Sequence, residues 1–430
     1  MHRNILVKLE VWKRKKNRKP LILSGARQVG KTYILKKFGK QSFSNVAYIN
    51  CDNNELAQNL FMQDYDMQRI ILAIGAITQQ KIVAGKTLII LDEIQSLPKG
   101  LSALKYFYED APQYHVAVAG SLLGLTMHQG ESFPVGKVDI LPIYPMTYDE
   151  FLLAKGKAQL VELLKNKDWN TIKSLRTEYI KLLREYYFVG GMPEAVREFI
   201  ETNDATKVRA VQNDILFTYQ KDISKHVPSS ESNRINMVWQ SMPSQLVKEN
   251  KKFLYGVAKT GGRAKEFETA IQWLMDAGLV YKTERVSTPK MPLKFYVDIA
   301  NFKLFLLDCG LLGALSETPP EILLVADSGM EEYKGAFTEN YVLSQLVASL
   351  NTSVFYFSND AKLEIDFLIQ YGKDIIPIEA KAEENLRSKS LSTFVASHPA
   401  LHALRFSVSD YRQQEWLTNI PLYAASTYFQ

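Results

Sequence analysis

Short apolar runs recur along the first third of the chain, at residues 21–23, around Val46, at 88–91 and at 116–119, and helix-patterned stretches such as 68–84 and 100–109 stand between them. Compact β-branched and leucine runs read as strands buried on both faces, and their alternation with helices predicts a parallel α/β sheet. Ile140-Leu-Pro-Ile-Tyr-Pro is punctuated by proline, which predicts an edge strand. Beyond residue 147 strand patterning stops, and 148–154, 169–187 and 193–202 read as the helices of a lid. Gly190 and Gly191 permit an abrupt interhelical turn there, and Pro193 suits the first position of the next helix.

The pattern changes again near Val227. One helix is expected to begin at Ser244 and another at Gly262, the second carrying an apolar stripe of Phe267, Ala270, Ile271, Leu274 and Ala277 before Gly278 stops it. Residues 279–286 and 293–297 then read as strands joined by a loop bearing Pro289 and Pro292. Helix, helix, strand, wing, strand is the order of a winged helix. A linker over 316–330 follows, then a helix containing Glu339, then two strands meeting at a Tyr371-Gly-Lys turn.

Chemistry enters at residues 25–32, where Gly25, Ala26, Arg27, Gln28, Val29, Gly30, Lys31 and Thr32 match G-x-x-x-x-G-K-[ST] between a strand and a helix that takes in Tyr33. Glycines let backbone N–H groups wrap a polyphosphate, lysine adds a cation, and the hydroxyl adds a magnesium ligand. The pattern fixes four positions and needs an acidic partner. Asp92-Glu93, at the carboxyl end of the 87–91 run, supplies it. Asp92 suits the magnesium shell with Thr32, and Glu93 suits activation of the attacking water. The competing reading of the pair is a helix N-cap. Ser121, after the next strand, is a candidate for sensing the γ-phosphate, with an ordinary turn residue as the equal alternative. Arg27 has two readings, a phosphate contact and a solvent-facing arginine.

A second constellation lies near the carboxyl terminus. Twelve residues separate Asp366 from Glu379, and a hairpin closing at Tyr371-Gly-Lys would bring the two together, with Lys381 on the face of Glu379. Two carboxylates suit a shared Mg2+ or Mn2+, and a lysine beside them suits phosphodiester hydrolysis. The alternative is a solvated strand with a surface pair worth about 0–1 kcal/mol.

Composition bounds these readings. A chain of 430 residues is long enough for two or three domains, and a formal charge of +6 permits a polyanionic partner without demanding one. Clustering says more. Residues 248–265 hold six basic side chains against one acid, Glu249, which favours DNA phosphates over a solvated packing face. A second basic run, 13–19, reads first as a solvated loop. Cys51 and Cys309 are too few and too far apart in sequence for a disulfide framework, and no stretch suits a signal peptide or membrane span, so a cytoplasmic protein is expected.

Together these residues resemble a bacterial and archaeal family of two-part ATPases, with an AAA-type amino-terminal module and a carboxyl-terminal region of uncharacterised function. The resemblance rests on 25–32, Leu91-Asp-Glu, Ala119-Gly-Ser-Leu-Leu, Ser132-Phe-Pro-Val-Gly-Lys, Gly190-Gly-Met-Pro-Glu, Glu249-Asn-Lys-Lys-Phe, Phe302-Lys-Leu-Phe-Leu-Leu-Asp-Cys-Gly-Leu-Leu, Glu339-Asn-Tyr-Val, Glu364-Ile-Asp-Phe and Ile378-Glu-Ala-Lys. It implies an ATPase using ATP and Mg2+, with Pro193 near the base as in archaeal and origin-recognition ATPases. It also implies a restriction-endonuclease-like fold in which Glu339, Asp366, Glu379 and Lys381 form the metal site. The expected domains are a P-loop core at 1–146, a helical lid at 147–226, a winged helix at 227–315 and the nuclease-like α/β domain at 316–430. No spacing marks an arginine finger, for which Lys137 and Arg197 are the available cations. Two functions lead, an ATPase whose nucleotide state controls a DNA-binding half with cleavage left open, and an ATP-gated interaction protein with an inactive nuclease-like domain and a protein partner; a nuclease that needs no ATP is the third. A homo-oligomer is compatible with the leading two.

Overall fold

The computed structural model describes residues 1–120, 133–248, 251–324, 331–350, 352–359, 363–382 and 388–430. They divide into two compact units, one of residues 2–144 with 276–278 and the other of 145–275 with 279–430 and Met1. Ser121 and Glu249 lie outside the described residues.

In the first unit the expected strands form, as β1 (Leu21–Ser24), β2 (Asn45–Asn50), β3 (Thr87–Asp92), β4 (His115–Ala119) and β5 (Asp139–Pro142). Among the described residues they make one sheet in the order β2-β3-β4-β1-β5, every pairing parallel, with β5 at an edge as its prolines predict. Leu88, Ile89, Ile90 and Leu91 are fully buried, which explains an apolar run without alternation. Each such side chain contributes roughly 1.5–3 kcal/mol of burial. Ile49, Ile70, Ile74, Leu101 and Phe107 belong to the same core. Because all five strands run the same way, the loop after β1 and the acids at the end of β3 lie at the same carboxyl end of the sheet. Two members of the basic run near the amino terminus have partners within this unit. Lys15 pairs with Asp139 at 2.6 Å, and Arg18 donates to the Pro112 carbonyl at 2.8 Å.

In the second unit, helices at Tyr148–Ala154 and Pro193–Thr202 have the expected bounds, while the stretch from Trp169 breaks into Trp169–Ser174 and Arg176–Val189. Two expectations need correction. Ser244 lies near the end of the helix Ser229–Leu246 rather than at the start of one. Residues Leu293–Tyr296 form a 3-10 turn, and the strand begins at Val297. Strands β6 (Val280–Val286) and β7 (Val297–Leu306) pair as an antiparallel hairpin. Strand β6 also pairs in parallel with β8 (Val354–Ser358). The remaining strands are β9 (Glu364–Tyr371), β10 (Asp374–Lys381), β11 (Ala403–Ser407), β12 (Arg412–Gln413) and β13 (Leu417–Pro421). Among the described residues one mixed sheet of eight strands runs β12-β13-β11-β10-β9-β8-β6-β7. The helix Ala264–Asp276 forms as its stripe predicts, burying Phe267, Ala270, Ile271 and Leu274.

Candidate functional site

Strand β1 delivers the loop, and the helix Lys31–Ser42 leaves it. Gly25 has no room for a side chain, since a Cβ there would lie 2.2 Å from the Ile143 carbonyl oxygen. Gln28 and Gly30 take left-handed backbone conformations, with φ of 66° and 93°. Such alternation turns successive amides toward a common concavity suited to an anion. Ala26 and Val29 are buried, and Tyr33 is half exposed on the first turn of the helix.

The polar side chains of the site are already organised. Lys31 donates its ammonium to the carbonyls of Gly25 at 2.8 Å and Ala26 at 2.7 Å. Burial pulls this ammonium down to about 8, against the attraction of Glu93 and Asp92, and Arg27 is close enough to lower it further. Thr32 donates its hydroxyl to Asp92 Oδ2 at 2.6 Å at the carboxyl end of the sheet. Glu93 sits at φ 52°, a left-handed conformation uncommon for a residue with a side chain, and its Oε2 accepts a hydrogen bond from Gln95 at 2.6 Å. Sequence reading missed Tyr48, whose hydroxyl donates to the same Asp92 oxygen at 3.1 Å. Its position on β2 beside β3 is a pairing that local pattern cannot reveal.

A hydroxyl and a carboxylate oxygen in contact, with an ammonium a residue away in the loop, make a hard-oxygen donor set that fits Mg2+ bound to a polyphosphate. Of the cations available as an arginine finger, Lys137 pairs with Glu109 at 2.8 Å and Arg197 lies 3.8 Å from Glu194. Pro193 opens its helix at the first position, in the second unit.

At the carboxyl-terminal constellation the hairpin forms in the expected register, with Asp374 opposite Tyr371 and Ile378 opposite Phe367. Asp366 Oδ2 accepts the Ala380 amide at 2.8 Å, and Lys381 Nζ stands 3.4 Å from Glu379 Oε1. Burial, with Glu339 beside it, pushes the Asp366 carboxyl up to about 7 against the pull of Lys303 and Lys251. The hairpin and the helix Glu331–Ser349 therefore bring Glu339, Asp366 and Glu379 into one electrostatic cluster. Each acid nevertheless has a partner from the protein: Glu339 is ion-paired with Lys251, Glu379 accepts from Ser388, and Asp366 holds the Ala380 amide. Among the described residues no three His, Cys, Asp or Glu side chains converge to hold a metal ion. As placed, the acids do not fit a shared divalent cation.

Lys251, expected on a basic DNA-facing surface, is instead nearly buried against Glu339. Lys303, fully buried and ion-paired with Glu364, also escapes sequence reading. Burial lowers its ammonium, but Glu339, Glu364 and Asp366 together leave it raised. A lysine inside the apolar run of β7 is the available signal, because a buried charge requires a partner. Arg405 extends the cluster, donating to Ser388 and Asn419 at 2.9 Å each.

The parallel sheet, the loop and the acids ending β3 define a P-loop nucleotide-binding module. Residues 17–152 match a family model described as an AAA domain, so the amino-terminal part of the chain has the AAA-type ATPase fold. Residues 180–321 and 334–425 match two families described as domains of unknown function, DUF8612 and DUF4143. No curated protein matches the chain. Solved structures that resemble it include the Walker-type ATPase of Pyrococcus abyssi, at 13% identity and a TM-score of 0.45, covering 72% of this chain and 94% of that one. The Orc1 protein of Aeropyrum pernix in complex with DNA matches at 14% identity, 75% and 92% coverage and a TM-score of 0.27. Cdc6p from Pyrobaculum aerophilum matches at 12% identity, 73% and 92% coverage and a TM-score of 0.25. Among the described residues no helix is long and apolar enough to cross a membrane.

Proposed function

We propose that the chain is an ATPase whose nucleotide state governs what its carboxyl-terminal half engages. The observation that carries the reading is the direct contact of Thr32 with Asp92 beside a buried Lys31. In this reading the loop amides and Lys31 bind the phosphates, exchanging the Gly25 and Ala26 carbonyls for phosphate oxygens. Thr32 and Asp92 hold Mg2+, which supplies charge neutralisation at the transferred phosphoryl group. Glu93 orients the attacking water and accepts its proton, and Tyr48 fixes the Asp92 carboxylate. Lys31→Ala is expected to lose ATP binding. Glu93→Gln should bind ATP and turn it over roughly 10²–10⁴-fold more slowly, as loss of a general base does. Nucleotide binding by fluorescence titration and phosphate release together test the assignment; unchanged turnover in both variants sinks it.

For the carboxyl-terminal half, the exposed Lys259, Arg263 and Lys265 at and just before the helix Ala264–Asp276 support DNA contact. The winged-helix and nuclease-like folds, the four-part domain division and a cytoplasmic setting belong to this proposal. A second reading, an ATP-gated interaction protein without cleavage, is favoured by one observation. The acids assigned to cleavage are each engaged by the protein's own donors.

A further inference from the structure

A side chain from near the amino terminus braces the phosphate loop. Arg3 stands just before the helix Ile5–Arg14, whose Ile5, Leu9 and Trp12 are buried, and its carbonyl accepts the Leu6 amide at 3.1 Å, which fixes it to the first turn. Only 4% of the residue is exposed, so this is no solvated surface arginine. Its Nη1 donates to the Val29 carbonyl at 3.0 Å and its Nη2 to the Tyr144 carbonyl at 2.6 Å. Both acceptors bear on the loop. Val29 lies within it, and Tyr144 follows Ile143, whose amide donates to the Ser24 carbonyl at 2.8 Å and whose own carbonyl oxygen occupies the space that a Cβ on Gly25 would need.

The bond to Val29 has a directional consequence. A peptide unit is planar and trans, so the Val29 carbonyl and the Gly30 amide point opposite ways, and holding the oxygen on Arg3 aims that amide away from the guanidinium. Val29 is flanked by Gln28 and Gly30, both in left-handed conformations. For a residue with a side chain, such a conformation costs free energy and persists only where its surroundings hold it. Lys31 holds the same loop through the Gly25 and Ala26 carbonyls, but a phosphate that takes its ammonium ends that service. Arg3 donates on the side of the peptide opposite the amide, so its bond survives the exchange. A planar fork serves two carbonyls at once, which the point charge of a lysine does not.

Resting on the reading of residues 25–32 as the ATP site, we propose that Arg3 is a positioning residue for phosphate binding. It clamps the peptide between Val29 and Gly30 so that the Gly30 amide stays turned to the polyphosphate once Lys31 has left the loop carbonyls. The segment before the first helix thereby belongs to the nucleotide site without touching the nucleotide.

Titration of the full chain with a fluorescent ATP analogue, together with turnover against ATP concentration, tests this. Arg3→Ala is expected to weaken nucleotide binding by about 10- to 100-fold, the worth of one or two hydrogen bonds to a charged group. The loss should fall on KM more than on kcat, as removal of uniform binding does. Guanidinium chloride at millimolar concentrations, far below those that unfold proteins, should restore most of the affinity of Arg3→Ala, and sodium chloride at the same concentration should not. Wild-type affinity in Arg3→Ala, or a weakened affinity that guanidinium does not recover, overturns the proposal; the ATP-site reading stands as long as Lys31→Ala loses binding. No nucleotide binding by the wild type overturns both. If Arg3→Ala does not fold, Arg3→Lys decides the matter: roughly tenfold weaker binding by the folded variant is expected, since it keeps the cation and loses the fork, and wild-type affinity overturns the proposal.

Discussion

Asp308 shows how much one side chain does in this fold. It accepts the Gly191 amide at 2.6 Å through one carboxylate oxygen and the Leu311 amide at 2.9 Å through the other, capping the helix Cys309–Leu315. Burial pushes its carboxyl up to about 6, against the opposite pull of the Gly191, Leu311 and Gly310 amides. A carboxyl raised on folding binds its proton more tightly in the native state, so its contribution is complete below about pH 4 and disappears as pH rises through 6. The swing is roughly 3 kcal/mol for a shift of this size. Urea denaturation of the wild type should show this decline between pH 4 and 6 relative to Asp308→Asn, which lacks the titration; identical pH slopes in the two proteins refute it. Lys31, Thr32 and Asp92 are legible in the sequence because the chemistry of a phosphate loop is local and its spacing strict. Lys251 is misleading there for the opposite reason: counting charges along a segment registers sequence neighbours, and its partner Glu339 is distant in sequence.

Among the elements, those with bounds fixed by their own chemistry are the most legible. The helix Pro193–Thr202 starts at a proline and ends before Asn203 in a left-handed turn, and Gly100–Glu109 has its apolar stripe intact. The turn before Pro193 reads in sequence as a plain interhelical connection and does more. A Cβ on Gly191 would lie 2.1 Å from the Met146 carbonyl oxygen, and the Met146 amide donates back to Gly191 at 2.6 Å. Backbone meets backbone there, so neither side can yield by changing rotamer. Gly191→Ala should destabilise the second unit by about 3 kcal/mol, within the range of severe overpacking. Differential scanning calorimetry checks this, and an unaltered melting profile would contradict it. The hairpin of β6 and β7 is legible as paired strands, but its place in a larger sheet is not. Antiparallel pairing across a short loop leaves a local signal, whereas the parallel pairing of β6 with β8 joins strands about seventy residues apart and leaves none.

At the scale of the whole molecule, the formal charge of +6 understates where positive charge is available. Lys15 and Arg18 of the amino-terminal run have internal partners and Lys251 is held by Glu339, while Lys259, Arg263 and Lys265 are exposed, Lys259 beside its partner Glu266. If these three meet DNA, neutralising Lys259, Arg263 and Lys265 should flatten the dependence of log affinity on log salt by about 2–3, near 0.9 for each phosphate no longer neutralised. Fluorescence anisotropy across a salt series measures it, and an unchanged slope places the DNA-binding surface elsewhere.

The eight-stranded sheet carries a consequence for heredity. Strands β6 and β7 fall within one matched family segment and β8 to β13 within the other, yet β6 and β8 are hydrogen-bonded neighbours. A recombination event between codons 321 and 334 would leave each descendant with a raw sheet edge where its neighbour had been. Exposed edges of this kind pair promiscuously. Selection should therefore transmit the two segments as one cassette, and a lineage that exchanged one for a foreign version would have to match the strand across that seam.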